Sequence, residues 1–162
     1  MQSLNQDLSS MEITLSVSYP AIITSVERKT NYVGGKREGD ENAFDRIVTV
    51  DEDNTELESL FGECRTDLVH RLQARVVSES LDEEEPRYYR LNLDVADEFN
   101  SALVPTLTLA LFNYFINGML SRWFIYTNQD EAALYAGRAE ENLDNIYKDT
   151  MTRVLTRKSR PF

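Results

Sequence analysis

The longest apolar pattern in the chain lies between residues 101 and 126, and it predicts a helix. Large apolar side chains recur there every three or four residues, a spacing that places them on one face of a helix. They are Leu103, Leu107, Leu111, Phe115, Met119 and Trp123. A second set widens that face and consists of Val104, Phe112, Ile116, Leu120 and Phe124. Because so much of the circumference is apolar, we expect this helix to be central or shared with a neighbouring subunit.

A second helix is predicted directly after the first. Thr127 or Asn128 is a suitable N-cap, and Asp130 and Glu131 are favourable in the first turn. Its apolar stripe is Ala132, Tyr135, Ala139, Leu143, Ile146, Met151, Val154 and Leu155. Because the connection is short, the two helices must form an antiparallel hairpin.

The N-terminal half shows shorter patterns. Residues 11–18 alternate between apolar and polar side chains, which predicts a short half-buried strand or an extended arm. Pro20 can open a helix that ends near Gly34 and Gly35. Asp53 is an N-cap for a further helix. The apolar stripe of that helix is Leu57, Leu60, Phe61, Cys64, Leu68, Leu72 and Val76.

Two β-prone segments flank this helix, residues 44–50 and residues 87–95; they could pair as a small sheet, and the sequence leaves this pairing open. The acidic run at 82–86 is expected to be a turn. The predicted fold is therefore mainly α, a helical bundle with a long C-terminal antiparallel hairpin, a short β element and extended termini. The expected division is an N-terminal arm over 1–18, a helical domain with a small β insertion over 19–156, and a basic tail over 157–162.

Residues 99–121 contain no charged side chain and are long enough to span a bilayer. They include several amides and hydroxyls, among them Asn113 and Asn117, which are costly to bury in hydrocarbon. A buried helix without contact with a membrane therefore explains the segment better. The single cysteine, Cys64, cannot form an internal disulfide, and the N-terminal residues do not have the pattern of a signal peptide.

The charge is unevenly distributed. The chain has 28 acidic and 17 basic residues, a formal net charge of −11, which argues against general attraction to nucleic acid or anionic membranes. The C-terminal end is basic through Arg153, Arg157, Lys158 and Arg160. This tail either docks on an acidic patch of a neighbouring subunit or stays solvated. We predict that these four residues, with Trp123 and Phe124, take part in interactions between proteins.

No catalytic constellation is found in the sequence. His70 is the only histidine and lies on a helix, where a polar or half-buried role is expected. Cys64 lies on an apolar stripe and is expected to act as a small hydrophobic residue. The acidic start at Asp51 fails the calcium-loop template, because Glu56 stands where glycine is needed. We expect no catalytic residue, no metal site and no cofactor.

Four C-terminal segments carry a resemblance. They are 117–124 (NGMLSRWF), 128–135 (NQDEAALY), 143–146 (LDNI) and 157–161 (RKSRP). With the helical hairpin that contains them, they look like the small head–tail connector, or adaptor, proteins of tailed bacteriophages. The resemblance rests on apolar spacing, a Trp-Phe pair and a basic tail, and it covers the chain from the first hairpin helix onward.

The resemblance implies a structural virion protein without enzymatic activity. It implies a homo-oligomeric ring, expected to be a dodecamer, between the portal protein and the next neck or tail component. DNA would pass through the lumen without specific binding, and the termini would extend to neighbouring proteins. The expected location is the virion neck, and the host cytoplasm during assembly. The alternative is a cytosolic helical adaptor or regulator that acts as a small oligomer.

Overall fold

A computed structural model of the chain describes residues 10–36 and 54–151. The elements in this part are β1 (Ser10–Ser18), α1 (Tyr19–Lys36), α2 (Asn54–Arg71), β2 (Val76–Leu81), β3 (Tyr88–Ala96), α3 (Val104–Trp123) and α4 (Gln129–Met151). Short 3-10 segments, Ser101–Leu103 and Phe124–Tyr126, flank α3. The prediction of a mainly α fold with a short β element is confirmed.

The three strands form an antiparallel sheet in the order β1–β3–β2. β1 pairs with β3 along its whole length, from Ser10 opposite Ala96 to Ser18 opposite Tyr88. The alternating side chains of β1 alternate in burial, so the half-buried strand is the alternative that forms, and residues 10–18 belong to the folded unit. The division into arm, domain and tail otherwise stays a prediction.

The outer face of the sheet is polar. Thr14 on β1 donates a hydrogen bond to Asn92 Oδ1 on β3 (2.7 Å), and Asn92 Nδ2 donates to Ser78 Oγ on β2 (2.7 Å). β3 therefore lies between β1 and β2, and these are its partners. The partner predicted for it, residues 44–50, lies outside the described residues.

α2 is shorter than the sequence pattern predicts. The helix ends at Arg71, and Val76, which was placed on its apolar stripe, instead begins β2. The backbone turns between these residues, and Asp94 N donates to Arg75 O (2.7 Å) to align β2 with β3. β-branched valines at 76 and 77 favour a strand, and Val76 pairs with Leu93 of β3, although the register shifts between Val76 and Ser78. The predicted acidic turn at 82–86 is confirmed as part of the β2–β3 connection.

The antiparallel hairpin of α3 and α4 is confirmed. Asn128 is the N-cap of α4, because its Oδ1 accepts a hydrogen bond from Glu131 N (3.2 Å). Both helices carry buried apolar residues, among them Leu111 on α3 and Leu143 on α4, and Asn117 Nδ2 of α3 donates a hydrogen bond to Asn142 Oδ1 of α4 (2.9 Å).

The span Ser101–Tyr126 is long and apolar enough to cross a membrane by length and composition, and half of the residues in its apolar window are buried within the protein. The core helix of a soluble protein meets the same criteria of length and composition as a membrane-spanning helix.

An aromatic cluster forms the centre of the core. Phe61 of α2 stacks on Phe115 of α3 with ring centroids 4.3 Å apart. Tyr89 of β3 meets both rings edge-on, at 5.7 Å and 5.1 Å, and Tyr19 meets Phe61 at 5.0 Å. Such pairs contribute ~0.5–1.5 kcal/mol each beyond the burial of their area. The cluster therefore joins the sheet, α2 and α3 into one core.

Candidate interaction surface

Two of the six residues predicted to mediate interactions lie in the described part of the chain. Phe124 is fully buried and stacks on Tyr135 of α4, with ring centroids 5.9 Å apart. The 3-10 segment after α3 turns this ring towards the first turns of α4, so Phe124 is a core residue and is not accessible to a partner. Trp123 is partly buried and packs against the core. Arg153, Arg157, Lys158 and Arg160 lie outside the described residues.

The same 3-10 segment exposes the two residues that follow Phe124. The side chain of Ile125 is 52% exposed and that of Tyr126 is 94% exposed. They lie at the connected end of the hairpin, directly before the N-cap of α4. Large apolar and aromatic residues in this position are typical of protein contact sites. The exposed residues therefore follow Phe124, because the turn that ends α3 is not visible in the apolar spacing.

A groove of about 710 Å³ lies between α2 and the hairpin. Alanines of α4 line one side of it: Ala132, Ala133, Ala136 and Ala139. Ile125 and Leu143 add larger apolar surface, and the opposite wall is polar, with Asp67, His70 and Arg71 of α2. Small side chains along one helix leave room beside it, so the alanine run is the sequence signal that could have indicated this groove.

Ion pairs join α2 to its neighbours around the groove. Arg71 binds Glu140 (3.0 Å) and Asp144 (3.4 Å) of α4 and so bridges the groove. Arg122 of α3 binds Asp67 and lies 3.5 Å from Glu63, both on α2. Because the carboxylates of these pairs are exposed to solvent, each pair contributes only ~0–1 kcal/mol to stability. They orient charged groups at the surface more than they hold the helices together.

Beneath the groove, α2 and α3 are in close contact. Tyr114 Oη donates to the carbonyl oxygen of Cys64 (2.7 Å), and Arg122 Nη1 donates to Cys64 Sγ (3.3 Å). A Cβ atom at Gly118 would lie 2.8 Å from Cys64 Sγ, closer than real contacts of this kind. Glycine is therefore needed at 118 for the two helices to approach this far.

Cys64 and His70 were the candidate catalytic side chains, and their surroundings are those of ordinary structural residues. Cys64 is fully buried, as expected of a small hydrophobic residue, and burial raises the pKa of its thiol to about 12, although Arg122 opposes this. The thiol is therefore protonated near neutral pH, the reverse of an activated nucleophile. His70 is exposed on α2 and faces the groove. Within residues 10–36 and 54–151, no group of three or more His, Cys, Asp or Glu side chains is arranged to hold a metal ion.

Comparison with family models, with curated proteins and with solved structures finds no match for the chain. A function is therefore inferred below from the chain's own residues and from the resemblance of its C-terminal segments.

Proposed function

We propose that this chain is a head–tail connector of a tailed bacteriophage, a structural subunit without a catalytic role. In this proposal its copies form a ring between the portal protein and the next neck or tail component. The resemblance of the C-terminal segments motivates the proposal, and the geometry of the α3–α4 hairpin supports it.

The observation that carries the proposal is that the hairpin has two different ends. Ile125 and Tyr126 are exposed at the connected end, and the basic segment follows Met151 at the other end. α4 has 23 residues, which corresponds to ~34 Å at 1.5 Å per residue. A ring needs two unlike surfaces on each subunit, because each copy contacts one neighbour with one surface and the next neighbour with the other. In this proposal the two ends of the hairpin provide these surfaces.

The charge of the chain suits passage of DNA. A formal net charge of −11 repels phosphates on average, so DNA would move through the lumen without binding to it. Exposed carboxylates occur on α2, in the β2–β3 connection and on α4, for example Glu56, Glu84 and Glu141. We expect no measurable affinity for duplex DNA at physiological salt.

Mass photometry of the full chain, alone and mixed with the portal protein encoded in the same genome, tests the proposal. We expect ring-sized particles, or particles that appear only when portal is present. A chain that remains a monomer or dimer and ignores the portal would contradict the connector role. It would favour the alternative, a cytosolic helical adaptor or regulator that acts as a small oligomer.

A matched pair of variants tests whether the connected end of the hairpin is a contact between subunits of the ring. Ile125→Ser removes an exposed apolar side chain at the connected end, and we expect it to reduce ring formation. Val77→Ser is the control, since Val77 is exposed to a similar extent, 55% against 52%, but lies on β2. If both variants assemble as the original chain does, the connected end of the hairpin is not a ring contact.

A further inference from the structure

The most exposed charged side chains at the rim of the groove between α2 and α4 are carboxylates. Asp67 and Glu140 line the groove and are 60% and 64% exposed, and Glu63, which lies 3.5 Å from Arg122, is 59% exposed. Their partners Arg122 and Arg71 also line the groove but are only 28% and 36% exposed. The arginines therefore lie deeper and the carboxylates face outward. A carboxylate has about four acceptor positions, so each can accept further hydrogen bonds beyond those from its arginine. The rim suits a basic ligand.

The floor of the groove is the alanine side formed by α4, which is apolar and has space for side chains. Ala136 is exposed there and lies between the more buried Ala132 and Ala139, and Leu143 is the lining residue furthest along α4. A ligand that matches both features combines apolar side chains with basic ones. An acidic or purely polar segment would leave either the rim or the floor without a partner.

Residues 152–162 of this chain have that combination. The sequence TRVLTRKSRPF contains four basic side chains and no acidic one. Val154 and Leu155 supply apolar side chains directly before the cluster of Arg157, Lys158 and Arg160. Both chemical features of the groove are therefore matched within one short segment of the same protein.

The position of this segment favours the groove of a second copy. The segment follows Met151, which lies eight residues, or ~12 Å, beyond Leu143 at the end of the groove. The direction of α4 carries the chain away from its own groove, so binding there requires the chain to reverse and run back along α4. A neighbouring copy can be reached without that reversal.

We infer that the groove between α2 and α4 binds residues 152–162 of a second copy of this chain. The contact is between unlike surfaces, the segment of one copy and the groove of the next, and such contacts produce rings when the rotation between copies closes. The inference rests on the proposed function in that both require self-assembly, but it names no portal contact.

Disulfide trapping with full-length chains tests the inference. One variant carries Ala136→Cys in the groove and the other carries Arg157→Cys in the C-terminal segment, with one of the two labelled by a heavy isotope. Native Cys64 is buried and does not interfere. We expect a disulfide between the two introduced thiols that joins a labelled chain to an unlabelled one. Ala21→Cys replaces Ala136→Cys in the control, since Ala21 is exposed on α1, and it should link at a much lower rate.

A chain that carries both Ala136→Cys and Arg157→Cys shows whether the groove binds the segment of the same chain or that of a second copy. If the segment binds a second copy, oxidation gives dimers and longer ladders. A product linked only within one chain would overturn the inference, and so would linking no faster than in the Ala21→Cys control.

Charge reversal tests the rim. Asp67→Lys with Glu140→Lys should reduce the rate of linking roughly tenfold at low salt, because like charges then face each other. Glu83→Lys with Glu84→Lys is the matched control, because these exposed residues lie in the β2–β3 connection. Lys158→Glu with Arg160→Glu makes the same test from the segment's side, without changing the described fold. Combining the reversed rim with the reversed segment should restore linking, and failure to do so would overturn the role of charge in the contact.

The two proposals can fail separately. Portal-dependent rings without linking between groove and segment would overturn this inference and leave the connector role in place. Linking between copies that never associate with the portal would contradict the connector role and support the groove contact.

Discussion

α2 contacts its two neighbouring helices in opposite ways. Towards α3 it is close-packed, with Phe61 stacked on Phe115 at 4.3 Å and Cys64 against Gly118. Towards α4 it borders a groove of about 710 Å³ that Arg71 bridges through ion pairs. One side of the helix excludes solvent and the other side leaves space beside charged groups.

We infer from this difference that one side of α2 stabilises the fold and the other side is available for binding. Close apolar packing is sensitive to the loss or gain of single carbon atoms, so the side of α2 that contacts α3 contributes more to stability than the side that faces α4. Exposed ion pairs contribute little, so the side that faces α4 can change its partners at small cost to the fold. The following predictions test this division, from the largest expected effect to the smallest.

A substitution in the aromatic cluster should give the largest loss of stability. Phe115→Ala removes a fully buried ring from the cluster, and we expect the free energy of unfolding to fall by ~3–5 kcal/mol. Leu109→Ala on the same helix is the control, since Leu109 is 60% exposed and should change stability by less than ~0.5 kcal/mol. Urea denaturation measures both. Equal effects of the two substitutions would show that α3 is not packed as described.

Cys64 should make the stability of the protein depend on alkaline pH. Burial raises the pKa of its thiol from 9.0 to about 12, so the folded state retains the proton that the unfolded state loses. The stabilisation is complete below pH 9.0 and is lost as the pH rises towards about 12. In that interval the free energy of unfolding of the original chain should fall by up to ~1.4 kcal/mol per pH unit more than that of the Cys64→Ala variant. Parallel pH profiles of the two proteins would contradict burial of the thiol.

Substitution by alanine at two glycines should change the stability of the protein in opposite directions. Gly118→Ala places a Cβ atom 2.8 Å from Cys64 Sγ and should destabilise the protein by ~1–3 kcal/mol. Gly137→Ala, on α4, meets nothing within 4 Å and should stabilise it by ~0.5–1 kcal/mol, because alanine favours a helix. In a Cys64→Ala background the cost of Gly118→Ala should fall by more than half, as measured by a double-mutant cycle. A stabilising Gly118→Ala would mean that α2 and α3 are further apart.

The ion pairs across the groove should give the smallest effect. Arg71→Gln removes the contacts with Glu140 and Asp144 and should cost ~0–1 kcal/mol, and less in high salt. Thermal melts at low and high salt measure this. A loss above ~2 kcal/mol would mean that the groove side stabilises the fold as a packed contact does.

The hairpin could be predicted from the sequence and β2 could not. Apolar residues on α3 recur at helical spacing over many turns, and the short connection leaves one arrangement for the two helices. Val76, by contrast, follows Leu72 by four residues and so continues the helical stripe of α2, although pairing with β3 decides its structure. Local spacing cannot reveal a strand whose partner lies in a later segment.

The candidate surface was predicted only in part. The apolar spacing identified the end of α3, but the 3-10 turn that buries Phe124 and exposes Tyr126 depends on packing against Tyr135. The groove depends on Asp67 and Arg71 of α2 meeting the alanine side of α4, and these are separated widely in sequence. Such juxtapositions arise from the tertiary fold and leave only the alanine run as a signal.

Negative-stain imaging of the full chain mixed with the portal protein of the same genome tests the central claim most directly. If the chain is a head–tail connector, class averages will show an additional ring on the portal, with one copy of the chain for each position around the ring. Bare portals beside free monomers or dimers of the chain would contradict it.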